Sequence, residues 1–135
     1  MIKQKNIFII AGESSGDQHA AKYITAHESL NSNIKFSAIG QTEIKKTSAK
    51  VIFNSEEISV VGIIEVISKY NKILKALNIA YRHIDETKPD LIILVDYVEF
   101  NLKIAKYAKS KGIKVLFYIA PQVWAWREKR IEKII

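Results

Sequence analysis

The sequence predicts an α/β fold: a Rossmann-like parallel sheet with helices on both faces. Short apolar runs without polar alternation, such as Leu91–Val95, are typical of the central strands of a parallel sheet. These runs alternate along the chain with longer segments of helical periodicity. Strand and helix in alternation predict right-handed β-α-β crossovers, and such crossovers place the strands parallel in one sheet.

The predicted strands differ in how completely they are buried. The apolar runs at residues 6–11, 91–95 and 113–119 are continuous, so we expect both faces of these strands to be covered. Residues 34–39 alternate better between apolar and polar side chains, and they predict a second strand. Residues 51–53 could form a further short strand. The polar segment before them, residues 40–50, predicts no single helix or strand.

The first two predicted helices are marked by their ends and by their apolar spacing. A helix over 17–30 follows the first strand, and Ser15 or Asp17 can cap it. Residues 60–87 predict one or two helices, which Pro89 ends. The face toward the core recurs at three- and four-residue spacing through Tyr70, Ile73 or Leu74, Leu77, Tyr81 and Ile84.

Two further helical segments follow the strand at 91–95. A helix over 101–111 turns its lysines outward and has Gly112 as its C-cap. A last segment begins at Arg127 and reaches Ile135 without a terminator. We therefore expect residues 1–135 to be a single domain that was cut from a larger architecture.

Composition restricts the class of protein. The 135 residues are about one domain's worth, and 48% hydrophobic with 26% charged side chains is ordinary for a globular domain. The absence of cysteine excludes disulfides and thiolate metal sites, which fits a cytoplasmic setting. No apolar run reaches the roughly 18 residues that a membrane-spanning helix needs.

The charge is unevenly placed. The formal net charge is +7, and residues 103–135 hold nine basic but only two acidic side chains. Such an excess could attract anionic lipid, phosphate or nucleic acid, or it could be the solvated outer face of a helix. An unrelated nucleic-acid-binding module is one alternative. RNA binding would require aromatic and basic side chains interleaved on a sheet face, which the sequence hardly shows, so no nucleic acid is predicted.

Three unusual segments follow predicted strands: residues 12–17, 96–101 and 120–126. Ligands bind beyond the carboxyl ends of the strands in open parallel sheets, so these segments are expected to share one edge. The first is a glycine loop whose spacing matches neither a dinucleotide fingerprint nor a P-loop. Its Glu13 and Asp17 would repel a phosphate, which favours a sugar hydroxyl as ligand. The alternative is a tight turn with capping residues.

The second segment offers a general base, and the third offers an aromatic surface. Asp96, at the end of a buried strand, could accept a proton from a bound alcohol, and Asn101 could fix that alcohol. Alternatively, either residue caps the next helix. Trp124 and Trp126 could stack on a sugar, touch acyl chains, pack on a missing domain or simply fill the core. The three histidines have no metal-ligand spacing, which favours surface or capping roles for His19, His27 and His83.

Taken together, four motifs resemble one family. Residues 11–17 read Ala-Gly-Glu-Ser-Ser-Gly-Asp and resemble the opening Ala-Gly-Glu-x-Ser-Gly-Asp of lipid-A-disaccharide synthases. Residues 58–66 resemble that family's Leu-x-Val-Met-Gly-x-x-Glu-Val segment, and residues 96–101 resemble its Asp-x-Pro-x-Phe-Asn. Residues 118–127 are similar to its Tyr-x-x-Pro-x-Val-Trp-Ala-Trp-Arg run. The shared order and approximate spacing extend the resemblance over essentially the whole chain.

The resemblance implies the N-terminal domain of a GT-B glycosyltransferase, a fold with two Rossmann-like domains. That family joins UDP-2,3-diacylglucosamine to 2,3-diacylglucosamine 1-phosphate through a β-1,6 linkage and releases UDP. It works at the cytoplasmic face of the inner membrane in Gram-negative lipid A synthesis. No metal and no cofactor are implied, because a helix dipole and basic groups can stabilise the leaving UDP.

The resemblance also implies roles for individual residues. Asp96 would be the catalytic base on the acceptor 6-hydroxyl. Trp124 and Trp126 would contact the membrane or the acyl chains. The acceptor side would be lined by Gly12, Glu13, Ser15, Gly16, Asp17, Asn101, Gln122 and Arg127.

The sequence departs from the family pattern at two places, and a third feature limits the activity. Val98 replaces the family's proline after the Asp96-Tyr97 pair, and residues 41–44 replace its Gly-Pro-basic-Met run. The family binds UDP in a C-terminal domain that lies outside this sequence. We therefore expect the chain to be incomplete alone, with a separate chain as one source of the other half. The alternative is a non-catalytic remnant of a split gene that still binds glycolipid or membrane.

Overall fold

A computed structural model describes residues 4–30, 33–59 and 66–118. The strands in this part of the chain are β1 (Lys5–Ala11), β2 (Ile34–Gly40), β3 (Lys50–Asn54), β4 (Leu91–Val95) and β5 (Lys114–Tyr118). The helices are α1 (Ser14–Ser29), α2 (Thr42–Lys45), α3 (Glu56–Ser59), α4 (Val66–Thr87) and α5 (Val98–Ser110). The predicted segment 60–65 and the predicted last helix from Arg127 lie outside the described residues.

The described strands form one parallel sheet in the order β3-β2-β1-β4-β5. The central strand β1 pairs with β2 on one side and with β4 on the other, so that Ile9 lies between Ala38 and Ile93. The chain therefore builds the sheet outward from β1 to β3 and then returns to add β4 and β5 on the opposite side. The loops after β1 and β4 lie at this reversal, where open parallel sheets bind ligands in a crevice beyond the carboxyl ends of the strands.

Helices cover both faces of the sheet, as the sequence predicts. On one face α1 and α2 bury Ala20, Ile24 and Ile44 against β1, β2 and β4. On the other face α4 and α5 bury apolar side chains against the same strands. Continuous apolar runs were the signal for strands covered on both sides, and β1 and β4 confirm that interpretation with buried residues from Ile7 to Ala11 and from Ile92 to Val95.

The prediction that the strand at 113–119 is buried is wrong for one of its faces. Leu116 is 52% exposed and Tyr118 is 43% exposed, whereas Val115 and Phe117 pack on the core under α5. The reason is position, because β5 is the outermost strand of the described sheet and no described helix covers its α1 side. A groove of about 180 Å³ opens there between α1 and β5.

The helices differ from the prediction at their ends. Tyr70 was predicted to face the core, but it is 61% exposed. Of the alternatives Ile73 and Leu74, Ile73 packs against the core, whereas Leu74 is 41% exposed. The 22 residues of α4 extend about 33 Å, roughly twice the length of a five-residue strand, so its first turns overhang the sheet. The helix predicted from Asn101 begins three residues earlier, at Val98. Its predicted end is confirmed, because Gly112 has φ +73° and its N–H donates to the Lys109 carbonyl at 3.1 Å.

Candidate functional site

The crevice at the reversal of the sheet brings two of the predicted segments into contact. Gly12 follows β1, and Asp96 and Tyr97 follow β4. A Cβ atom at Gly12 would overlap Cγ and Cδ2 of Tyr97 and would lie 2.9 Å from its Cβ. Only glycine leaves room for the tyrosine ring at this point, so the two loops close against each other over the carboxyl edge.

The glycine loop leads directly into α1, but the residues predicted to cap the start of this helix do not occupy its N-cap position. Glu13 is the N-cap residue, with extended backbone, and its side chain makes no capping hydrogen bond. Ser15 and Asp17 were predicted to cap this helix, yet both lie inside it. Glu13 and Ser15 are exposed at the mouth of the crevice, whereas Gly16 and Asp17 are buried beneath it. The loop therefore presents one carboxylate and two serine hydroxyls to solvent.

Asp17 caps a different helix from the one that contains it. Its carboxylate accepts hydrogen bonds from the backbone N–H groups of Gln41 at 2.7 Å, Glu43 at 2.8 Å and Ile44 at 3.3 Å. These are N–H groups at the start of α2, which have no partner within that helix. A carboxylate is a strong acceptor for such groups, so Asp17 ties α1 to the loop that follows β2.

Two polar residues that no sequence motif indicated hold the end of β1. The Gln41 side-chain amide donates to the Gly12 carbonyl at 3.2 Å, and the Ser55 hydroxyl donates to the Ala11 carbonyl at 2.8 Å. Both side chains are buried. Gln41 directly follows β2 and Ser55 directly follows β3. That placement was the available signal, because polar residues at the carboxyl ends of parallel strands meet at one edge.

Asp96 lies at the carboxyl end of β4 with a strained and well-anchored backbone. Asp96 is 6% exposed, and its φ of +48° places its backbone in the left-handed region. Its N–H donates to the Tyr118 carbonyl at 2.9 Å, so β5 holds it from one side. The sequence predicted this position for Asp96, whereas its left-handed conformation has no local sequence signal.

Asn101 holds the same turn from beneath. It is fully buried as the fourth residue of α5, and its Nδ2 donates to the Asp96 carbonyl at 3.0 Å and the Val95 carbonyl at 3.4 Å. Neither Asp96 nor Asn101 occupies the N-cap position of α5, because the N-cap residue is Tyr97, whose own side chain makes no capping hydrogen bond. Asn101 acts on the backbone around Asp96.

Tyr97 links the two loops electrostatically as well as sterically. Burial, together with the negative charge of Glu13, raises the pKa of the Tyr97 hydroxyl to about 12. The phenol therefore stays protonated at neutral pH, beside the carboxylate at the mouth of the glycine loop. Its ring also stacks on Phe100, with centroids 5.2 Å apart and 26° between the planes.

Part of the predicted site lies in segments that the structure does not describe. Gln122, Trp124, Trp126 and Arg127 lie outside the described residues, as does most of the predicted 58–66 motif.

Among the described residues no three histidine, cysteine, aspartate or glutamate side chains cluster as metal ligands. The surface or capping role predicted for His83 is wrong, because its half-buried ring packs on Phe8 and its Nε2 lies 2.7 Å from the Ser37 hydroxyl.

The fold is shared with a solved glycotransferase. The chain is similar to the crystal structure of the glycotransferase of kitacinnamycin, with a TM-score of 0.63 and 14% identity over 88% of this chain and 31% of that one. This likeness confirms the predicted α/β architecture as one that a glycosyltransferase uses. Sequence comparison then identifies the family: a profile described as Lipid-A-disaccharide synthetase matches residues 7–135, and the chain belongs to that family.

Individual relatives agree with this assignment. The chain is 45% identical over 128 residues to a lipid-A-disaccharide synthase of Nitrosococcus oceani, covering 95% of this chain and 33% of the relative. It is 39% identical over 133 residues to that of Coxiella burnetii, covering 98% and 35%. It is 41% identical over 135 residues to lipid-A-disaccharide synthase 1 of Legionella pneumophila, covering 99% and 35%. The chain thus spans about a third of the length of these relatives.

Proposed function

We propose that this chain forms the acceptor side of a lipid-A-disaccharide synthase, with Asp96 as the general base. The observation that carries the proposal is the position of Asp96. Its carboxylate follows a buried central strand at the reversal of the sheet, opposite the glycine loop, in a chain that belongs to this family. Ligands of open parallel sheets bind in this crevice.

The proposed reaction uses Asp96 to activate the acceptor. Its carboxylate takes the proton from the 6-hydroxyl of 2,3-diacylglucosamine 1-phosphate as that oxygen attacks the anomeric carbon of UDP-2,3-diacylglucosamine. The new β-1,6 bond forms as the bond to UDP breaks, and UDP leaves with the electron pair. A positioned base of this kind typically contributes about 10²–10⁴-fold to the rate.

The glycine loop supplies the polar contacts in this proposal. Glu13 and Ser15 are exposed at its mouth, where they can exchange hydrogen bonds with sugar hydroxyls. Gly12 and Gly16 keep the backbone close to Tyr97 and Val95. Asp17 and Asn101 have their side chains engaged with backbone groups, so we assign them to support of the acceptor site and not to direct contact.

The donor and the membrane complete the proposal. UDP-2,3-diacylglucosamine would bind chiefly to the part of the relatives' length that this chain does not span. None of the described helices is long and apolar enough to cross a bilayer. In this proposal the chain attaches to the cytoplasmic face of the inner membrane through surface contacts, for which the exposed Lys103, Lys106 and Lys109 of α5 provide positive charge.

The test of the base is a chimeric enzyme in which this chain replaces the matching third of the Nitrosococcus oceani synthase. Asp96→Asn should lower kcat, measured as UDP release, by about 10²–10⁴-fold. Asp90→Asn is the matched control, because Asp90 precedes the same strand at the opposite edge and is exposed. Unchanged turnover in Asp96→Asn would remove Asp96 from the mechanism.

The membrane part has its own test. The 135-residue chain should co-sediment with anionic phosphatidylglycerol vesicles and not with neutral ones. Reversing the charge in Lys106→Glu/Lys109→Glu should weaken that binding, and Trp124→Ala/Trp126→Ala tests the aromatic contribution. Vesicle binding by a chain whose chimera shows no turnover even with Asp96 intact would favour a non-catalytic glycolipid- or membrane-binding module instead.

A further inference from the structure

The turn between β4 and α5 has an unusual backbone. Asp96 has φ +48°, and the next residue, Tyr97, has φ +42° and ψ +55°. The left-handed conformation is unfavourable for residues other than glycine, and asparagine or aspartate tolerates it better than tyrosine. Two such residues in succession persist only where the surrounding structure holds them, and strain of this kind concentrates at functional sites.

The ring of Tyr97 accounts for how the turn is held. It lies against Gly12 so closely that no other residue would fit at that position, and it stacks on the ring of Phe100. Gly12 belongs to the loop after β1, whereas Phe100 belongs to the first turn of α5. The tyrosine ring is therefore clamped between two elements that approach only because β1 and β4 are neighbours.

The strained turn sets the direction of the Asp96 carboxylate. The Asp96 N–H is fixed to the Tyr118 carbonyl, and the Asp96 carbonyl is fixed to Asn101 Nδ2. If Tyr97 relaxed to an ordinary backbone conformation, the chain between these two anchors would have to change its path. That change would alter the direction of the Cα–Cβ bond of Asp96.

We infer that Tyr97 is a positioning residue for Asp96, acting through its ring and not through its hydroxyl. The inference rests on the proposed role of Asp96 as the base and adds a residue that sets its geometry. Tyr97 keeps the carboxylate aimed at the acceptor hydroxyl by locking the left-handed turn against Gly12. A displacement of about 1 Å can cost about 10²-fold in rate, so this packing is a determinant of kcat.

The first test measures the position of Asp96 without activity. Amide hydrogen exchange is followed by NMR in the 135-residue chain for wild type, Tyr97→Phe and Tyr97→Gly. The Asp96 amide should exchange about tenfold faster or more in Tyr97→Gly and within about twofold of wild type in Tyr97→Phe. The Ile92 amide, in the buried middle of β4, should be unchanged in both. Equal acceleration at Ile92 and Asp96 would show general destabilisation and overturn the inference.

The second test measures catalysis in the Nitrosococcus oceani chimera. Tyr97→Gly should lower kcat by about 10–100-fold while the KM for the acceptor changes by less than about threefold, and Tyr97→Phe should match wild type. Tyr97→Leu, which retains bulk but not a flat ring, replaces Tyr97→Gly if that variant fails to fold. A normal kcat in a variant with a faster-exchanging Asp96 amide would overturn the inference.

The two proposals fail differently. If Asp96→Asn turns over normally, the proposed base is wrong whatever the Tyr97 variants do. If Asp96→Asn is inactive but Tyr97→Gly keeps both the slow Asp96 exchange and the normal kcat, only the positioning role is wrong. If the chimera has no activity, the exchange measurement alone decides whether Tyr97 holds Asp96.

Discussion

The carboxylate of Asp17 in α1 accepts a hydrogen bond from the backbone N–H of Gln41 at 2.7 Å, and so holds the loop after β2. Gln41 in turn donates its side-chain amide to the Gly12 carbonyl. The aspartate of the glycine motif therefore supports the glycine through a neighbouring loop. Its burial to 2% exposure fits this role better than direct contact with a sugar.

Asp17→Ala should lower the free energy of unfolding by about 2–4 kcal/mol, because it leaves three backbone N–H groups without their charged acceptor. Chemical denaturation of the 135-residue chain measures the loss. Gln18→Ala, at the next and exposed position of α1, should stay within about 0.5 kcal/mol of wild type. Asp17→Asn should fall between them, since it retains one acceptor oxygen.

Gly12→Ala should destabilise the chain by about 1–3 kcal/mol, because the added methyl group overlaps the Tyr97 ring. The double variant Gly12→Ala/Tyr97→Gly should be less destabilised than the sum of the two single variants, by about 1 kcal/mol or more. If the losses in stability of the two single variants simply add up in the double variant, the contact between Gly12 and the Tyr97 ring is contradicted. Gly112→Ala is the control: it meets only the strain of φ +73° in open space, so Tyr97→Gly should not rescue it.

The hydroxyl of Tyr97 should titrate at about pH 12 in the folded chain, compared with an ordinary tyrosine value of 10.0. A folded-state pKa above the unfolded value means that the associated stability is present below pH 10 and is lost as the pH rises toward 12. The difference in ultraviolet absorbance titration between wild type and Tyr97→Phe isolates this one group. A midpoint near 10 in the difference would contradict the burial of the hydroxyl beside Glu13.

His83 should make the chain sensitive to acid. Burial, reinforced by the positive charge of Lys50, lowers the pKa of His83 below 6.5, and Glu86 opposes the shift. Because the folded-state pKa is the lower one, stability is present above pH 6.5 and is lost as the pH falls through the folded-state value. His83→Gln should remove this part of the decline in denaturation midpoint between pH 7 and 5. An identical pH dependence in the variant would contradict the assignment.

Patterns in the sequence determined the elements whose signals are local. Continuous apolar runs located β1 and β4, because a strand covered on both faces has no polar positions. Gly112 marked the end of α5, because only glycine adopts that backbone conformation without strain. Asp96 was located by its place in the sequence, because it is the first polar residue after the buried strand β4.

Only the tertiary structure decided what those residues touch. The contact of Tyr97 with Gly12, the capping of α2 by Asp17 and the hydrogen bonds of Gln41 and Ser55 all join segments that are far apart in the chain. Local patterns encode burial and backbone preference, but these partners depend on which strands are neighbours. The order β3-β2-β1-β4-β5 places the loops after β1, β2, β3 and β4 along one edge, and that arrangement makes Tyr97 the neighbour of Gly12.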